Sequence, residues 1–413
     1  MPTAPSLSVA DLVREMESLV PPRLAEPWDN VGLLLGSLDR SLDGPVLLTI
    51  DLTEPVADEA VALRAAAVIA YHPVIFHPLK RITSRTSAER TLLKLAAARI
   101  GVYSPHTALD AVEGGVTDWL ADGLLLPASD ASQPERAAHA GADRRALRPA
   151  RSLPFTQELK IVTFVPHDKA EQLRMALASI GAGIIGNYDY CSFSSGGHGT
   201  FRAGEHAHPA VGSAAPGNLE SVPELRLEMV CSRAALPLAM EMLRQFHPYE
   251  EPAIDVYARE PLPARSAGAG RRITFDHPTP LAELARRLKS HLRVPRVEVY
   301  PALGACAADG ADAACDKVLI ERAAVVPGSG AELAQAAMQD ACTLLVTGEM
   351  KHHEIRAATS AGMSVMLAGH TQTERGYLPT LARRLGAALP GVSCRLAERD
   401  RNQIGRASCR ERV

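Results

Sequence analysis

Short apolar runs alternate with amphipathic stretches through the first third of the chain. The apolar runs predict buried strands at residues 45–51, 67–70 and 101–104. Apolar residues spaced three and four positions apart predict helices at residues 54–66 and 87–99. Strands and helices that alternate in this way are typical of an α/β layer built on a largely parallel sheet.

Two stretches without apolar periodicity interrupt this pattern, at residues 127–152 and 261–270. Both are rich in small residues, arginine and proline, and we predict that they are linkers. Between them the predicted order is strand, helix, strand, strand, helix, strand, with two strands flanking the glycine-rich residues 195–199. This order predicts a ferredoxin-like α+β module.

The alternating α/β pattern returns after the second linker, which favours one α/β domain carrying an insert over three domains in series. The two α/β segments also echo each other, since residues 68–72 and 365–370 each run from a short apolar strand into a histidine. We therefore predict duplicated α/β half-domains, with two such strands side by side. Ligand sites of open α/β sheets lie at the carboxyl ends of strands. The predicted boundaries are 1–150 for the first half, 153–260 for the insert and 268–403 for the second half.

Residues 404–413 have no apolar periodicity and look like the translation of a common sequencing adapter. We expect a non-native tail there, which carries no information about the fold.

Composition narrows the class of protein. The chain has 413 residues, a hydrophobic content of 46% and a net charge of −3, which gives no electrostatic reason to expect nucleic acid or an anionic membrane surface. No run approaches the 18 apolar residues of a membrane span. The cysteines stand singly, without a CxxC pair, which is typical of reduced thiols. We expect a cytoplasmic protein.

Polar side chains follow several of the predicted strands. His72, His106 with Asp110, His352 with His353, and His370 with Glu374 all fall at such ends. If a helix starts after Gly369, His370 and Glu374 lie on one face, four positions apart. Imidazole nitrogens and carboxylate oxygens suit zinc, iron or manganese. The alternative for each single histidine is an ordinary hydrogen bond; for all four groups together, a metal site is the better explanation.

Three other motifs favour plainer interpretations. The turn at residues 328–330 lacks the lysine of a phosphate-binding loop. The HPYEEP segment at residues 247–252 could bind a ligand, although polar loops bounded by proline are usually connectors. Ser195 has no evident histidine and aspartate partners, which excludes a serine hydrolase.

Five motifs in order resemble those of the Nif-three-like family, also called the GTP cyclohydrolase I type 2-like family. They are EPWDNVGL at 26–33, YHPVIF at 71–76, HTALD at 106–110, GEMKHHE at 348–354 and GHTQTERG at 369–376. Within the insert, GNY at 186–188, GHGTF at 197–201 and HPYEEP at 247–252 resemble the PII-like module of the family's long members.

The resemblance implies one dinuclear metal-binding domain with up to two divalent ions per chain. Its ligands would be His72, Asp110, His370 and Glu374, with Asp110 and Glu374 as bridges. Many members have His-His-Pro where this chain has Tyr71-His72-Pro73, so one ligand is missing or replaced by the Tyr71 phenol.

The resemblance also places His106 and His353 beside the metals, where they could orient ligands or move protons. It implies a homohexamer whose sites face an inner cavity. We expect a metal-dependent hydrolase acting on a nucleotide or similar small molecule. The alternatives are a metal-binding regulatory or scaffold protein without turnover and, third, a metal store or chaperone. The metal hypothesis requires the His72 imidazole to lie within about 10 Å of the Glu374 carboxylate.

Overall fold

The computed structural model describes residues 7–125, 143–213, 217–303 and 315–401. The predicted tail and most of the first predicted linker lie outside these ranges. The described residues divide into two compact units. The larger unit is formed by residues up to Ala150 and from Ala264 onward, and the smaller by Arg151–Pro263.

The first sheet of the larger unit has both faces buried by helices. Its five strands stand in the order β1–β4–β3–β2–β15, parallel except for β1. They are β1 (Gly32–Leu35), β2 (Val46–Thr49), β3 (Ala67–Ala70), β4 (Gly101–Ser104) and β15 (Cys394–Leu396). One face packs on α1 (Val9–Leu19) and α12 (Leu378–Ala388), the other on α2 (Glu54–Ala62) and α3 (Ser87–Ala97). The central strands β2, β3 and β4 are fully buried, which explains why they are short and largely apolar runs.

The second sheet of this unit repeats the arrangement with six strands, in the order β11–β14–β13–β12–β10–β5. They are β5 (Arg144–Ser152), β10 (Leu262–Pro280), β11 (Glu298–Tyr300), β12 (Leu319–Ser329), β13 (Leu344–Glu349) and β14 (Ser364–Leu367). The strands β12, β13 and β14 are parallel. One face is covered by α5 (Val116–Leu125) and α8 (Leu281–Leu292), the other by α9 (Ala334–Gln339) and α10 (His352–Ser360).

The two half-domains form separate sheets, so the prediction that their histidine-bearing strands lie side by side is wrong. The strand before His72 is β3 of the first sheet, and the strand before His370 is β14 of the second. Each sheet also receives an edge strand from the opposite half of the chain, β15 in the first sheet and β5 in the second. The helix α5 packs on the second sheet although its sequence belongs to the first half.

The second predicted linker is wrong, because residues 262–280 form the long strand β10. The hydrophobic pattern did not predict this strand because many of its residues are small. The close packing of the strand against its neighbour requires these small residues. A Cβ atom on Gly268 would lie 2.3 Å from the carbonyl oxygen of Arg148. A glycine here therefore lets two backbones approach closely. The end of the first predicted linker is likewise a strand, β5.

The smaller unit has the βαββαβ order of a ferredoxin-like arrangement. Its antiparallel sheet has the order β7–β8–β6–β9. The elements are β6 (Leu159–Val165), α6 (Ala170–Ser179), β7 (Ser192–Arg202), β8 (Leu219–Cys231), α7 (Leu236–Phe246) and β9 (Ile254–Ala258). The glycine-rich stretch lies inside β7, which corrects the prediction that two strands flank it.

Two short helices complete the larger unit, α4 (His106–Ala111) and α11 (Gln372–Arg375). Within the described ranges, none of the helices has both the length and the apolar character needed to cross a bilayer. The five cysteines in those ranges are free thiols.

A partly buried histidine packed against α5 gives the larger unit a pH-dependent stability. The His291 ring lies 4.6 Å from the Trp119 ring, centroid to centroid, and its Nε2 is buried without a hydrogen-bond partner. Burial lowers the pKa of His291 to about 4. Its stabilising effect is therefore complete above the unfolded-state pKa near 6.5 and is lost as the pH falls towards 4.

At pH 5 the larger unit should lose about 2 kcal/mol through this group alone. Both tryptophans, Trp28 and Trp119, belong to this unit, so urea unfolding followed by their fluorescence reports it selectively. The loss of unfolding free energy between pH 7 and pH 5 should be about 2 kcal/mol smaller in His291→Gln than in the wild type. Equal losses in the two proteins would refute the prediction.

Candidate metal centre

Three side chains from the two sheets converge in the larger unit. Atoms of His72, His370 and Glu374 that can bind a metal all lie within 4.8 Å of one another. His72 Nε2 is 3.5 Å from Glu374 Oε2, and His370 Nε2 is 3.3 Å from Glu374 Oε1. The two imidazole rings lie 5.5 Å apart, centroid to centroid. One buried carboxylate therefore faces both imidazoles.

His72 is held at the end of β3 by backbone pairing that continues past the strand. The amide of Tyr71 donates to Thr49 and that of His72 to Ile50, at 2.9 and 3.1 Å. The hydroxyl of Ser104 donates to the Tyr71 carbonyl at 2.9 Å. These bonds place His72 beside the residues that follow β2.

Glycines make the space that brings His370 and Glu374 together. Gly369 turns the chain after β14 with a φ of +92°, a conformation that favours glycine. A Cβ on Gly328 would lie 2.8 Å from Glu374 Oε1, and one on Gly348 would lie 2.7 Å from the Cα of His370. Gly328, near the end of β12, therefore leaves space for this carboxylate.

A second carboxylate stands behind each imidazole. The Nδ1–H of His72 donates to Asp51 Oδ1 at 2.8 Å, and the Nδ1–H of His370 donates to Glu349 Oε1 at 3.0 Å. Such contacts fix the tautomer and orientation of metal-binding histidines. Both rings are thus oriented with Nε2 towards Glu374.

Asp110 and Tyr71 form a polar pair beside this group. The Tyr71 hydroxyl donates to Asp110 Oδ1 at 2.5 Å, and the tyrosine side chain is buried. Burial raises the pKa of Asp110 well above its usual value; the hydrogen bond from Tyr71 opposes this, and the charge of Glu374 adds to it. Burial, followed by the charge of Asp110, likewise raises the pKa of Tyr71.

His106 belongs to a third carboxylate–histidine pair. Its Nδ1–H donates to Asp29 Oδ1 at 2.8 Å, and the Thr107 amide donates to Asp29 Oδ2 at 3.1 Å. The His106 ring lies 5.5 Å from the His72 ring and 5.7 Å from the Tyr71 ring, centroid to centroid. Burial raises the pKa of Asp29, but the hydrogen bonds from His106 and Thr107 outweigh it and lower the pKa.

The electrostatics of the cluster fit a cation. Burial lowers the pKa of His72, but the hydrogen bond to Asp51 and the neighbouring carboxylate of Glu374 outweigh it and raise the pKa to about 10. The acids around this ring thus already accommodate a positive charge. Glu374 Oε2 is buried and lacks a hydrogen-bond partner among the described residues. Two histidines and one carboxylate are also a known protein ligand set for catalytic zinc.

The cluster opens into a cleft of about 1030 Å³. His72, His370 and Glu349 line it on one side, and Arg296 lines it from the segment before β11. A catalytic metal keeps a coordination position for water or substrate, and this opening supplies the room for one. The arrangement can therefore hold a divalent ion within reach of a small molecule.

The predicted site residues fall into three groups in the structure. His72, His370 and Glu374 meet in one cluster, and Asp110 and His106 lie around it. Tyr71 contacts Asp110. His353 is exposed on the first turn of α10, and among the described residues no hydrogen bond, ion pair or ring contact joins it to the cluster. Its assignment stays a prediction.

Sequence reasoning missed the three carboxylates that orient the histidines. Asp51 lies two residues after the end of β2, Glu349 ends β13, and Asp29 lies in the EPWDNVGL motif. An acid at the end of a predicted parallel strand was the available signal for Asp51 and Glu349.

The chain is similar to known proteins along nearly its whole length. The profile of the Duf34/NIF3 (NGG1p interacting factor 3) family matches residues 7–403. A Halalkalibacterium halodurans protein named GTP cyclohydrolase 1 type 2 homolog is 33% identical over 362 residues, which cover 87% of each chain. A Bos taurus protein named NIF3-like protein 1 is 31% identical, covering 92% of this chain and 87% of the relative.

Two solved structures share this architecture. A Bacillus cereus protein related to NIF3 is 29% identical with a TM-score of 0.64, and covers 98% of this chain and 100% of its own. A Staphylococcus aureus protein with a TM-score of 0.74 and the same coverage is 23% identical, which supports the fold alone. The family profile, the relatives and the ordered motifs agree, and the chain therefore belongs to the Duf34/NIF3 family.

Proposed function

We propose that this protein is a metal-dependent hydrolase acting on a nucleotide or similar small molecule, of the GTP cyclohydrolase 1 type 2-like kind. The observation that carries the proposal is the convergence of His72, His370 and Glu374 at the edge of an open cleft. The names of the H. halodurans and other bacterial relatives point to the same chemistry.

The ligands for a first divalent ion would be His72, His370 and Glu374. Asp110 and Glu374 would supply the carboxylates that hold a second ion. Zinc, iron or manganese suits these nitrogen and oxygen donors. When bound, such an ion lowers the pKa of a coordinated water towards neutrality and so supplies a nucleophile at physiological pH.

Residues of the chain would hold the substrate and move the proton. Asp29 accepts from Nδ1–H of His106, whose ring lies 5.5 Å from the His72 ring, so Nε2 of His106 would act as the base. Arg296 is exposed at the cleft and would bind a phosphate by charge-assisted hydrogen bonds. A nucleotide would thus present its base near the cluster and its phosphates towards Arg296.

The test is turnover by the purified full chain loaded in turn with zinc, iron and manganese. We expect chromatography to show conversion of GTP or another member of a nucleotide panel, and loss of that conversion in Glu374→Gln. A metal-loaded protein that leaves every nucleotide unchanged would refute the enzyme and favour a metal-binding regulatory or scaffold protein.

The Tyr71 phenol gives a separate prediction about metal number. The resemblance to the family implies a histidine ligand at the position of Tyr71, whose hydroxyl instead donates to Asp110. The wild type should therefore retain about one zinc ion per chain. Tyr71→His adds an imidazole ligand and should raise the count to about two. Inductively coupled plasma mass spectrometry after dialysis at low free zinc measures the number of zinc ions per chain.

Tyr71→Phe is the matched control, since it removes the hydroxyl without adding a ligand. Its count should stay near that of the wild type. A Tyr71→His protein with no more zinc than Tyr71→Phe would contradict the role of this position.

The proposal extends to the smaller unit and to the oligomeric state of the protein. The βαββαβ order supports a PII-like regulatory module, and the resemblance to the family supports a homohexamer. Light scattering of the purified chain measures the assembly. A mass near six chains would support the hexamer.

A further inference from the structure

A cavity of about 680 Å³ lies within the smaller unit, a size typical of small-molecule sites. Its floor is formed by β7 and β8. Its walls are Phe164, the segment that follows β7 and the loop after α7. None of these residues belongs to the proposed metal centre.

The glycines of β7 form the floor of this cavity. Gly197 pairs with Glu224 across the sheet, and Gly199 pairs with Val222. A Cβ on Gly199 would lie 2.2 Å from Glu224 Oε2, so the glycine leaves room for that carboxylate in its present position. Glycine inside a strand weakens the strand and often marks the close approach of another group. The GHGTF motif therefore makes space for Glu224.

Glu224 is a buried carboxylate without a matching cation. Glu224 is only 9% exposed, and it lines the cavity. Among the described residues no lysine, arginine or histidine forms an ion pair with it. The nearby Arg226 is already engaged, since its Nε donates to Glu228 at 2.7 Å and its guanidinium lies over the Phe164 ring. A buried charge needs a partner, and the cavity is where one can enter.

His247 does not neutralise this acid. Its Nε2–H donates to the Phe164 carbonyl at 3.0 Å, while its Nδ1 accepts from the Tyr249 amide at 3.1 Å. Both ring nitrogens are therefore used, and an accepting Nδ1 requires a neutral ring. Burial lowers the pKa of His247, in agreement with this geometry.

The remaining lining is mostly apolar and is held in place by Glu250. The His208 amide lies 3.3 Å from both Glu250 carboxylate oxygens, which joins the segment after β7 to the loop after α7. Side chains of Phe164, Phe201 and Val211 face this space, and the buried Tyr249 hydroxyl lies beside Glu224. An apolar body with one polar end fits these walls.

We propose that this cavity binds a small organic cation. Its ammonium, amidinium or guanidinium group donates hydrogen bonds to Glu224, and its aromatic or aliphatic body packs between Phe164 and Phe201. The Tyr249 hydroxyl supplies a further polar contact. The HPYEEP and GHGTF segments, which have no role in the metal centre, thus build a separate ligand site.

Benzamidine is the probe, because it joins an aromatic ring to an amidinium. Calorimetry on the full chain should show benzamidine binding at least about tenfold tighter than benzamide, its neutral analogue, since a buried carboxylate discriminates by charge. Glu224→Gln should remove that preference. Glu241→Gln, an exposed acid on α7, should keep it.

Hydrogen exchange locates the site independently of any variant. Benzamidine should slow exchange of amides at 195–211 and 249–253. The proposal is overturned if benzamidine does not bind, if benzamide binds equally well, or if protection appears only outside these segments. A folded Glu224→Gln protein that binds benzamidine as the wild type does would overturn it as well.

Discussion

Replacing Glu374 with glutamine should weaken zinc binding by about a hundredfold or more. Its carboxylate is 3% exposed and faces Nε2 of both His72 and His370. Glutamine keeps the shape but removes the charge and one oxygen ligand. Loss of a group that merely orients a ligand costs 10–100-fold in affinity, so loss of the shared ligand should cost more. Competition with a chromophoric chelator measures the change.

Two further variants, one with a smaller expected effect on zinc affinity and one with none, serve as comparisons. Glu349→Gln leaves every proposed ligand in place and loosens only the orientation of His370, so zinc affinity should fall about tenfold. Glu17→Gln changes an exposed acid on α1 and should have no effect. If Glu374→Gln binds zinc as tightly as Glu17→Gln does, the carboxylate is not a ligand.

Replacing Arg271 with methionine should lower the unfolding free energy of the larger unit by about 3–5 kcal/mol. This guanidinium is fully buried, and it donates to both oxygens of Asp118 at 2.9 and 3.1 Å. It also donates to the carbonyls of Gly268, Gly270, Ala111 and Val112. Methionine fills much of the space but leaves a buried acid and four carbonyls without this donor.

Arg145→Met is the matched control, since Arg145 pairs with Asp143 on the surface and is 48% exposed. That change should cost less than about 1 kcal/mol. Urea unfolding followed by the fluorescence of Trp28 and Trp119 compares the two variants in the larger unit alone. Similar losses in both would show that the buried network contributes little.

The position of Arg271 connects stability with the site. Its acceptors Ala111 and Val112 follow Asp110 directly, while Arg271 itself lies on β10 of the second sheet. The buried network thus fixes the end of α4 against the opposite half-domain. The sequence did not predict this network, because Arg271 directly follows the alanine- and glycine-rich residues 261–270 that were predicted to be a linker.

Local patterns predicted the strand ends well. The apolar runs before His72 and His370, each closed by a turn, marked both positions in the fold. Gly369 and the i, i+4 spacing placed Glu374 beside His370. These features depend on neighbours in sequence, which a single chain displays directly.

The hydrophobic pattern does not show which strands pair when they are far apart in the sequence. The repeated strand-to-histidine motif is compatible with one sheet or with two, and the structure has two. The strand β10 was not predicted because its glycines allow close backbone packing and carry no apolar side chain, and Gly199 of β7 likewise lies against the Glu224 carboxylate. Asp51 and Glu349 were missed because a lone acid has many ordinary roles.

Anomalous diffraction from crystals of the zinc-loaded protein tests the central assignment most directly. We expect a zinc peak about 2.0–2.2 Å from Nε2 of His72, Nε2 of His370 and a carboxylate oxygen of Glu374. A peak bound by other residues, with these three side chains free of metal, would contradict it.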